Sequence, residues 1–322
     1  MTNAAVPYHI PVMLAEVLAV LRPADGAVYI DATFGAGGYT RAILESAACT
    51  VIAIDRDQTA LAAGAALKAR YGDRLILCHG PFSAAATLAA EAGYDRVDGI
   101  VADLGVSSMQ LDGAARGFSF RFDGPLDMRM DQHGGGESAA DVVNSYPEEE
   151  IADILYRYGD ERKSRRIARA IVAARKQARI ETTTALAEII RSVLPRTPKD
   201  QSDPATRSFQ ALRIHVNAEM AEIETLLDES AELLNPGGRL VVVAFHSLED
   251  GIVKRFLQEA SGRRSAPSRH LPDAGRRAPT LFTLPFRKAV FPSDAEVAGN
   301  PRSRSARLRA GIRTDQKGRV VA

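Results

Sequence analysis

The sequence predicts an α/β protein whose parallel sheet is interrupted by an inserted helical segment. Strand-like and helix-like runs alternate as far as Leu104, no comparable strand follows between about Asp112 and Arg213, and the alternation resumes after Val216. Continuous apolar strands that alternate with helices are typical of a parallel sheet covered on both faces. We therefore expect a sheet domain at 1–112 and 214–322, with an inserted all-helical domain at 113–213.

The first part of the sheet is predicted from short apolar runs that are rich in β-branched residues and end at glycine or acidic residues. The four strands are Val28–Phe34, Thr50–Asp55, Arg74–Cys78 and Val97–Leu104. The helices between the first three of them are predicted at Thr40–Ala48 and Gln58–Arg70.

The insertion begins with a loop rich in Gly, Asp, Arg and Met at Gly113–Gly136, after which the apolar spacing predicts helices. These are Glu148–Tyr158, Lys163–Arg179, and a third with an apolar stripe from Leu186 to Leu194 that Pro195 ends.

After the insertion, one long amphipathic helix is predicted at Val216–Leu234, followed by a Pro-Gly-Gly turn and a strand at Arg239–Phe245. Two closing strands are predicted at Leu281–Leu284 and Ser303–Ile312. Between them and the fifth strand, Ser261–Ala278 is rich in Arg, Ser, Pro and Gly and is expected to be a loop.

Composition places the chain among ordinary globular proteins, with 46% apolar and 25% charged residues. No apolar run approaches the ~18–20 residues of a membrane helix, and no secretory signal is evident at the start, so we expect a cytoplasmic protein. Cys49 and Cys78 are too few for a disulfide scaffold or a zinc site. We expect two buried thiols and no metal.

The charge is unevenly distributed along the chain. Residues 1–112 carry 7 basic and 12 acidic groups, whereas the stretch from Lys254 to the end carries 16 basic and 5 acidic groups. An acidic first part with a basic last part favours a small-ligand site joined to a polyanion-binding surface, although basic faces are often simply solvated.

A glycine loop follows the first strand and contains Gly35, Gly37 and Gly38. Glycines let the backbone approach a ligand, and Asp55, at the end of the next strand, is placed to accept hydrogen bonds from a ribose diol. A dinucleotide-binding dehydrogenase would need a third glycine where Thr40 stands. Asp31, before the loop, instead suits the ammonium group of S-adenosylmethionine, so the loop favours a Rossmann-like methyltransferase over a nicotinamide enzyme.

Six further motifs are more specific. They are His79–Ser83, Asp103–Asp112, Arg116–Phe120, Gly124–Asp131, Pro204–Arg213 and Phe245–Asp250. Together they closely resemble the bacterial ribosomal RNA small-subunit methyltransferase H family, also called MraW, from about Tyr8 to Arg313. The resemblance implies an S-adenosylmethionine-dependent enzyme that methylates N4 of a cytosine in the decoding centre of 16S ribosomal RNA, within the small ribosomal subunit.

The resemblance also implies which residues bind the cofactor. They are Gly37, Gly38, Tyr39, Asp55, Phe82, Asp103 and Gln110, to which the loop argument adds Asp31 and Gly35. Two positions depart from the family's usual pattern, since Tyr39 stands where His is usual and Met109 where Pro is usual.

Asp103 is the best candidate for the chemistry, because it ends the fourth strand and a weakly nucleophilic cytosine amine needs an acceptor for its proton. Ser107, which follows that strand, and His246, at the end of the fifth strand, are further catalytic candidates. A lone histidine is equally consistent with a structural role.

RNA contacts are expected in the insertion. Arg165, Arg166 and Arg169 lie on a helix without acidic residues and suit phosphate groups, although a solvated surface would look the same. Arg207, Phe209 and Arg213 combine cations with an aromatic ring, as needed to read an unstacked base. The alternative function is a non-catalytic RNA-binding or ribosome-assembly factor that retains the fold, which the presence of all three strand-end aspartates disfavours.

Overall fold

The computed structural model describes residues 11–195, 202–263 and 280–317, and the chain divides into two compact units. The sheet unit comprises Met1–Gly105 and Met220–Ala322, and the helical unit comprises Val106–Glu219. The helical unit therefore begins at Val106 rather than at residue 113 and ends at Glu219 rather than at residue 213. The loop expected at Ser261–Ala278 lies outside the described residues from residue 264 onward.

The sheet unit contains a seven-stranded sheet in the order β3-β2-β1-β4-β5-β7-β6. Strands β1 to β5 are parallel, and β7 runs antiparallel between β5 and β6. The strands are β1 Val28–Asp31, β2 Thr50–Asp55, β3 Leu75–His79, β4 Val97–Asp103, β5 Leu234–Ala244, β6 Phe282–Thr283 and β7 Arg307–Arg313. The direction of strand addition reverses between β1 and β4, and open α/β sheets bind ligands at such a switch point.

Fourteen α-helices accompany these strands among the described residues. They are α1 Leu14–Leu21, α2 Gly38–Ser46, α3 Gln58–Ala63, α4 Ala65–Tyr71, α5 Ala85–Glu91, α6 Ser108–Asp112, α7 Ala139–Ser145, α8 Glu148–Gly159, α9 Ser164–Arg175, α10 Thr183–Val193, α11 Thr206–Val216, α12 Glu219–Leu233, α13 Ser247–Ala260 and α14 Asp294–Gly299.

Both faces of the sheet are buried under helices. Alternate residues of each strand point to opposite faces, so both sets are apolar. Ile30, Ile52 and Ile100 pack on one face with α5, α12 and α13. Tyr29 and Val51 pack on the other face with α1 and α2. This two-sided burial explains the continuous apolar strands, and it confirms the predicted α/β class.

The helical unit has its own hydrophobic core, formed by its loop and by helices α7 to α11. Helices α8 and α11 approach closely at Gly159, where an added Cβ would lie 2.7 Å from the carbonyl oxygen of Arg207. Within the described part of this unit no strand forms, and the β-type pairing is an isolated bridge between Pro125 and Thr182.

The long helix predicted at Val216–Leu234 is present as α12, Glu219–Leu233, and it begins three residues later than predicted because Val216 is the last residue of α11. The chain breaks between α11 and α12, where Ala218 has a left-handed backbone with φ of 51°. The side chain of Asn217, 2% exposed, donates to the carbonyl oxygens of Met128 and Arg213 and accepts from the N–H of Met130. These three hydrogen bonds of a buried amide stabilise the break at Asn217.

Glycine also divides the helix predicted at Gln58–Arg70. Gly64 separates α3 from α4, and an added Cβ there would lie 2.7 Å from the ring of Phe34. The first strand stops at Asp31 instead of Phe34, because Asp31 Oδ1 accepts from the N–H of Thr33 and turns the chain into the glycine loop.

Two further expectations concern membrane helices and the cysteines. Among the described residues, no helix combines the length and apolar character needed to cross a bilayer. Both cysteines are free thiols, with Cys49 buried as expected and Cys78 only half-buried.

Candidate active site

The carboxyl edge of the sheet brings together three of the predicted acidic residues. Strand β1 ends at Asp31, β2 at Asp55 and β4 at Asp103, while His246 follows the end of β5 by two residues. Strands β1 and β4 flank the switch point of the sheet, which is where open α/β sheets bind ligands. The structure therefore brings these residues to one edge of the sheet as expected, and their roles in binding and catalysis stay predictions.

The three glycines of the loop have different roles. An added Cβ at Gly37, whose φ is 73°, would lie 2.6 Å from Leu67 Cδ1, and one at Gly38 would lie 2.3 Å from Pro11 Cγ. Both glycines are therefore required by packing inside the sheet unit. Gly35, with φ of 51°, has only the Thr33 carbonyl oxygen near that direction, at 3.8 Å. Cofactor binding by Gly35, Gly37 and Gly38 stays a prediction.

Asp55 connects this loop to the second strand. Its Oδ2 accepts from the N–H of Gly35 at 2.7 Å, and its Oδ1 accepts from the N–H of Asp57 at 2.8 Å. Burial raises the pKa of the Asp55 carboxyl above its usual value, and the two N–H donors partly oppose that shift. A carboxylate has about four acceptor sites, so two remain for the hydroxyls of a ribose.

Asp31 is fully buried and is held by the protein itself. Its Oδ2 accepts from the N–H of Thr40 at 3.1 Å and from Thr40 Oγ1 at 2.7 Å, at the start of α2. Burial raises the pKa of Asp31 to about 6 in spite of these hydrogen bonds. Asp31 therefore organises the glycine loop and also places negative potential beneath it.

Asp103 is the least satisfied acid of the site. Its backbone N–H donates to Thr33 Oγ1 at 2.7 Å, but its side-chain Oδ1 is buried and has no hydrogen-bond partner among the described residues. Burial, and then the charges of Asp31 and Glu249, raise the pKa of Asp103 well above its usual value. Because like charges and desolvation both oppose ionisation, a positively charged ligand would stabilise this carboxylate.

His246 caps the start of α13 together with Glu249. Imidazole Nδ1 accepts from the Glu249 N–H at 3.5 Å, and Nε2 lies 2.8 Å from Glu249 Oε1. Glu249 is fully buried, and its Oε2 accepts from the N–H groups of Phe245 and His246 at 2.7 and 3.2 Å. The ring is thus held by its own helix, and a catalytic role for His246 stays a prediction.

The structural role of Glu249 was missed by sequence reasoning, although the sequence contained a signal for it. A helix-capping residue followed three positions later by Glu is the spacing of a capping box. Thr33 and Thr40, which position Asp103 and Asp31, carried no comparable signal because their contacts depend on the loop fold.

Tyr39 and Phe82 occupy different environments. Tyr39 is buried, its hydroxyl donates to the Val12 carbonyl oxygen, and burial raises the pKa of that hydroxyl well above its usual value. The side chain therefore serves packing where the family usually has His. Phe82 is half-buried just after β3, at the same edge of the sheet as the acids.

Ser107 and Gln110 lie in the helical unit and cap α6. Ser107 Oγ accepts from the Gln110 N–H at 3.3 Å, and Gln110 Oε1 accepts from the Ser107 N–H at 3.0 Å. This reciprocal pair fixes the first turn of the helix. Catalysis by Ser107 and cofactor binding by Gln110 stay predictions.

Four of the six predicted RNA-binding residues lie on the surface of the helical unit. Arg165 and Arg166 are exposed and have no ion-pair partner among the described residues. Arg169 is exposed and lies 3.6 Å from Glu148, a contact of little strength at the surface. Arg207 is also exposed, with one long hydrogen bond of 3.4 Å to the Asp160 carbonyl oxygen. All four are accessible to phosphate groups.

Phe209 and Arg213 require a correction. Phe209 is 3% exposed, and its ring lies edge-on to Phe120 with centroids 4.8 Å apart in the core of the helical unit. Arg213 forms a bidentate ion pair with Glu219, at 2.7 and 2.8 Å, and its side chain is 14% exposed. A ring without a free face cannot stack on a base, so both residues stabilise the unit rather than read RNA.

Comparisons with known proteins show the family of this chain. A family model described as the MraW methylase family matches residues 7–313. The chain is 59% identical to the ribosomal RNA small subunit methyltransferase H of Rhodospirillum centenum, over 97% of this chain and 94% of that protein. It is 55% identical to the protein of the same name from Methylobacterium nodulans, over 97% and 92%. A solved rRNA methylase from Streptococcus thermophilus, 10% identical with a TM-score of 0.41 over 94% of both chains, is too distant to support any inference.

Proposed function

Because this chain belongs to the MraW methylase family, we propose that it methylates the exocyclic N4 amine of one cytosine in the decoding centre of 16S ribosomal RNA. The methyl donor is S-adenosyl-L-methionine. The substrate is the RNA within the small ribosomal subunit, and the site of action is the cytoplasm. A nicotinamide-dependent reaction has no support, since the family is one of methylases.

The observation that carries the proposal is the unsatisfied carboxylate of Asp103 beside Asp31 and Glu249. An edge of buried acids is electrostatically unfavourable unless a cation binds there. S-adenosylmethionine carries a sulfonium and an ammonium group, and it supplies the methyl group when bound. The donor set of this edge fits that ligand, with Asp55 for the ribose hydroxyls and Phe82 at the same edge for an apolar or aromatic contact.

The carboxylate of Asp103 can then assist the transfer in two ways. Asp103 accepts a hydrogen bond from the target amine, which withdraws its lone pair from the ring and favours attack. The same carboxylate stabilises the positive charge that develops on the nitrogen and receives the proton that leaves it. Thr33, bonded to the Asp103 backbone, keeps that group at the end of β4.

We expect the affinity for S-adenosylmethionine to fall as the pH is lowered through about 6. The pKa of Asp31 is about 6 and that of Asp103 is also raised, so acid neutralises both groups. A cation favours the ionised carboxylates, so binding releases protons and Kd rises as pH falls, by roughly tenfold per unit for each group below its pKa. Calorimetry between about pH 5 and pH 7.5 measures this dependence.

S-adenosylhomocysteine provides the matched control for that experiment, because its sulfur is uncharged. Its Kd should depend less strongly on pH than the Kd of the methyl donor. Equal, flat pH profiles for both ligands, with the protein folded throughout, would contradict an electrostatic role for the acidic edge.

Changing Arg165, Arg166 and Arg169 together to Ala should weaken RNA binding and leave cofactor binding unchanged. The three exposed cations on α9 suit phosphate contacts, so the loss should be greatest at low salt and shrink as salt rises. Binding titrations with small-subunit RNA at several salt concentrations test this. Equal affinity of variant and parent at low salt would mean that α9 is simply a solvated surface.

A mass-spectrometric comparison of 16S RNA nucleosides from cells with and without the gene tests the proposed function directly. N4-methylcytidine at one position should disappear when the gene is deleted and return with the parent gene. If the nucleosides are identical but small-subunit assembly is impaired, the non-catalytic alternative replaces the proposal.

A further inference from the structure

A basic groove lies on the sheet unit along α13, outside the acidic edge. Five cations line it, of which Arg309 lies on β7 and the other four are Lys254 on α13, Arg263 shortly after that helix, and Arg287 and Lys288 after β6. The remaining lining residues are Leu257, Gln258, Leu284, Phe286 and Ala310. No acidic side chain is among the lining residues of this α13 groove.

The charge of the α13 groove is not neutralised within the unit. Arg309 is paired with Asp250, at 2.5 and 3.1 Å, and contributes little net charge. The other four cations are exposed and have no ion-pair partner in the described part of the chain. Unpaired cations that converge on a concave surface attract an anion, and their number favours a polyanion over a single small ion.

The floor of the groove is apolar and one ring is available. Leu257 is buried, Leu284 is half-buried, and Phe286 is 40% exposed beside Arg287. Aromatic rings among Lys and Arg side chains are typical of surfaces that bind single-stranded nucleic acid, because bases stack on the ring while cations follow the backbone. A purely acidic polypeptide such as polyglutamate would use the cations and leave the ring without a stacking partner.

We propose that the α13 groove binds the RNA strand that flanks the methylated nucleotide, through its phosphates and one unstacked base. The inference rests on the proposed function for the identity of the RNA. It is consistent with the position of the groove, since α13 begins beside His246 and Lys254 lies eight residues further on, about 12 Å along the helix axis. A single RNA strand can therefore run from the acidic edge along α13.

The test compares a groove variant, Lys254→Gln with Arg287→Gln, with a control variant, Arg22→Gln with Arg70→Gln. Each removes two exposed positive charges from the sheet unit. In the groove variant, affinity for single-stranded small-subunit RNA should fall about tenfold at low salt, and the slope of log K against log salt should fall by about 1.4. The control variant should bind the RNA with the affinity of the parent. Both variants should bind S-adenosylmethionine with the affinity of the parent.

A third variant, Phe286→Leu, separates stacking from charge. We expect its affinity for the RNA to fall by about five- to a hundredfold with an unchanged salt slope, because base stacking involves no phosphate. An unchanged RNA affinity and salt slope in the groove variant would overturn the proposal. Groove-dependent binding of polyglutamate as tight as that of RNA would also overturn it, in favour of an acidic polypeptide.

The two proposals fail separately. Binding measures the groove, whereas formation of N4-methylcytidine by the parent measures the proposed function. RNA binding that depends on the groove in a protein that makes no N4-methylcytidine would keep the groove as an RNA-binding surface and remove the proposed function.

Discussion

Replacing Asp103 with Asn should lower the rate of methyl transfer by about 10²–10⁴ and leave the protein folded. The amide keeps the shape and one acceptor oxygen, but it loses the charge that stabilises the attacked nitrogen and the capacity to receive its proton. The hydrogen bond from the Asp103 backbone N–H to Thr33 Oγ1 is unaffected, so the end of β4 should stay in place.

The ligand-free variant should be at least as stable to heat as the parent. The parent carboxylate is buried near Asp31 and Glu249 with Oδ1 unpartnered, and a neutral amide removes that repulsion. A thermal melt therefore distinguishes loss of chemistry from loss of fold.

The rate must be measured in a single turnover at saturating S-adenosylmethionine, because weaker cofactor binding would otherwise imitate a chemical defect. The product is read as N4-methylcytidine in small-subunit RNA. A rate within about threefold of the parent would exclude Asp103 as the chemical anchor, since general-base roles are worth far more than that. His246 would then be the next residue to change.

Replacing Asp55 with Ala should weaken the binding of S-adenosylmethionine by roughly ten- to a hundredfold. Loss of an acceptor for two ribose hydroxyls costs about 1.5–3 kcal/mol. The variant also leaves the N–H groups of Gly35 and Asp57 without their partner, so part of the loss reflects a loosened glycine loop. Calorimetry on the folded variant gives the affinity.

Asp57→Asn is the matched control for that variant. Asp57 lies two residues further on, and its side chain caps α3 by accepting from the Thr59 N–H at 3.0 Å, while its backbone N–H, which bonds to Asp55, is unchanged by the substitution. An asparagine retains that cap, so cofactor affinity should match the parent. Unchanged affinity in both variants would refute the assignment of Asp55 to the ribose.

The sequence predicted the sheet well because its strands are buried on both faces. Strand β2 has the predicted bounds, Thr50–Asp55, and the acids that end β1, β2 and β4 meet at one edge as expected. In a parallel sheet, burial makes every strand residue apolar and topology fixes where the ends meet. Local pattern and tertiary fold therefore agree there.

The failures lie where a side-chain contact from another segment decides the outcome. Asn217 delays the start of α12 to Glu219, because its side chain bonds to a loop some ninety positions earlier, at Met128 and Met130. Phe209 and Arg213 look like RNA-reading residues in the sequence, but Phe120 and Glu219 satisfy them inside the unit. No spacing in a single sequence distinguishes a cation or ring that reads a ligand from one that completes a core.

The pairing of β4 with β5 has a consequence for the folding kinetics. Val97–Asp103 must find a partner that begins at Leu234, and the whole helical unit lies in the intervening chain. Closing so long a loop costs conformational entropy before any stabilising contact between the strands forms, and this cost slows folding. The core of the helical unit draws only on residues within Val106–Glu219, so that unit can collapse first as a cooperative block. Its early formation would shorten the effective loop and turn the insertion from an obstacle to sheet assembly into a step that assists it.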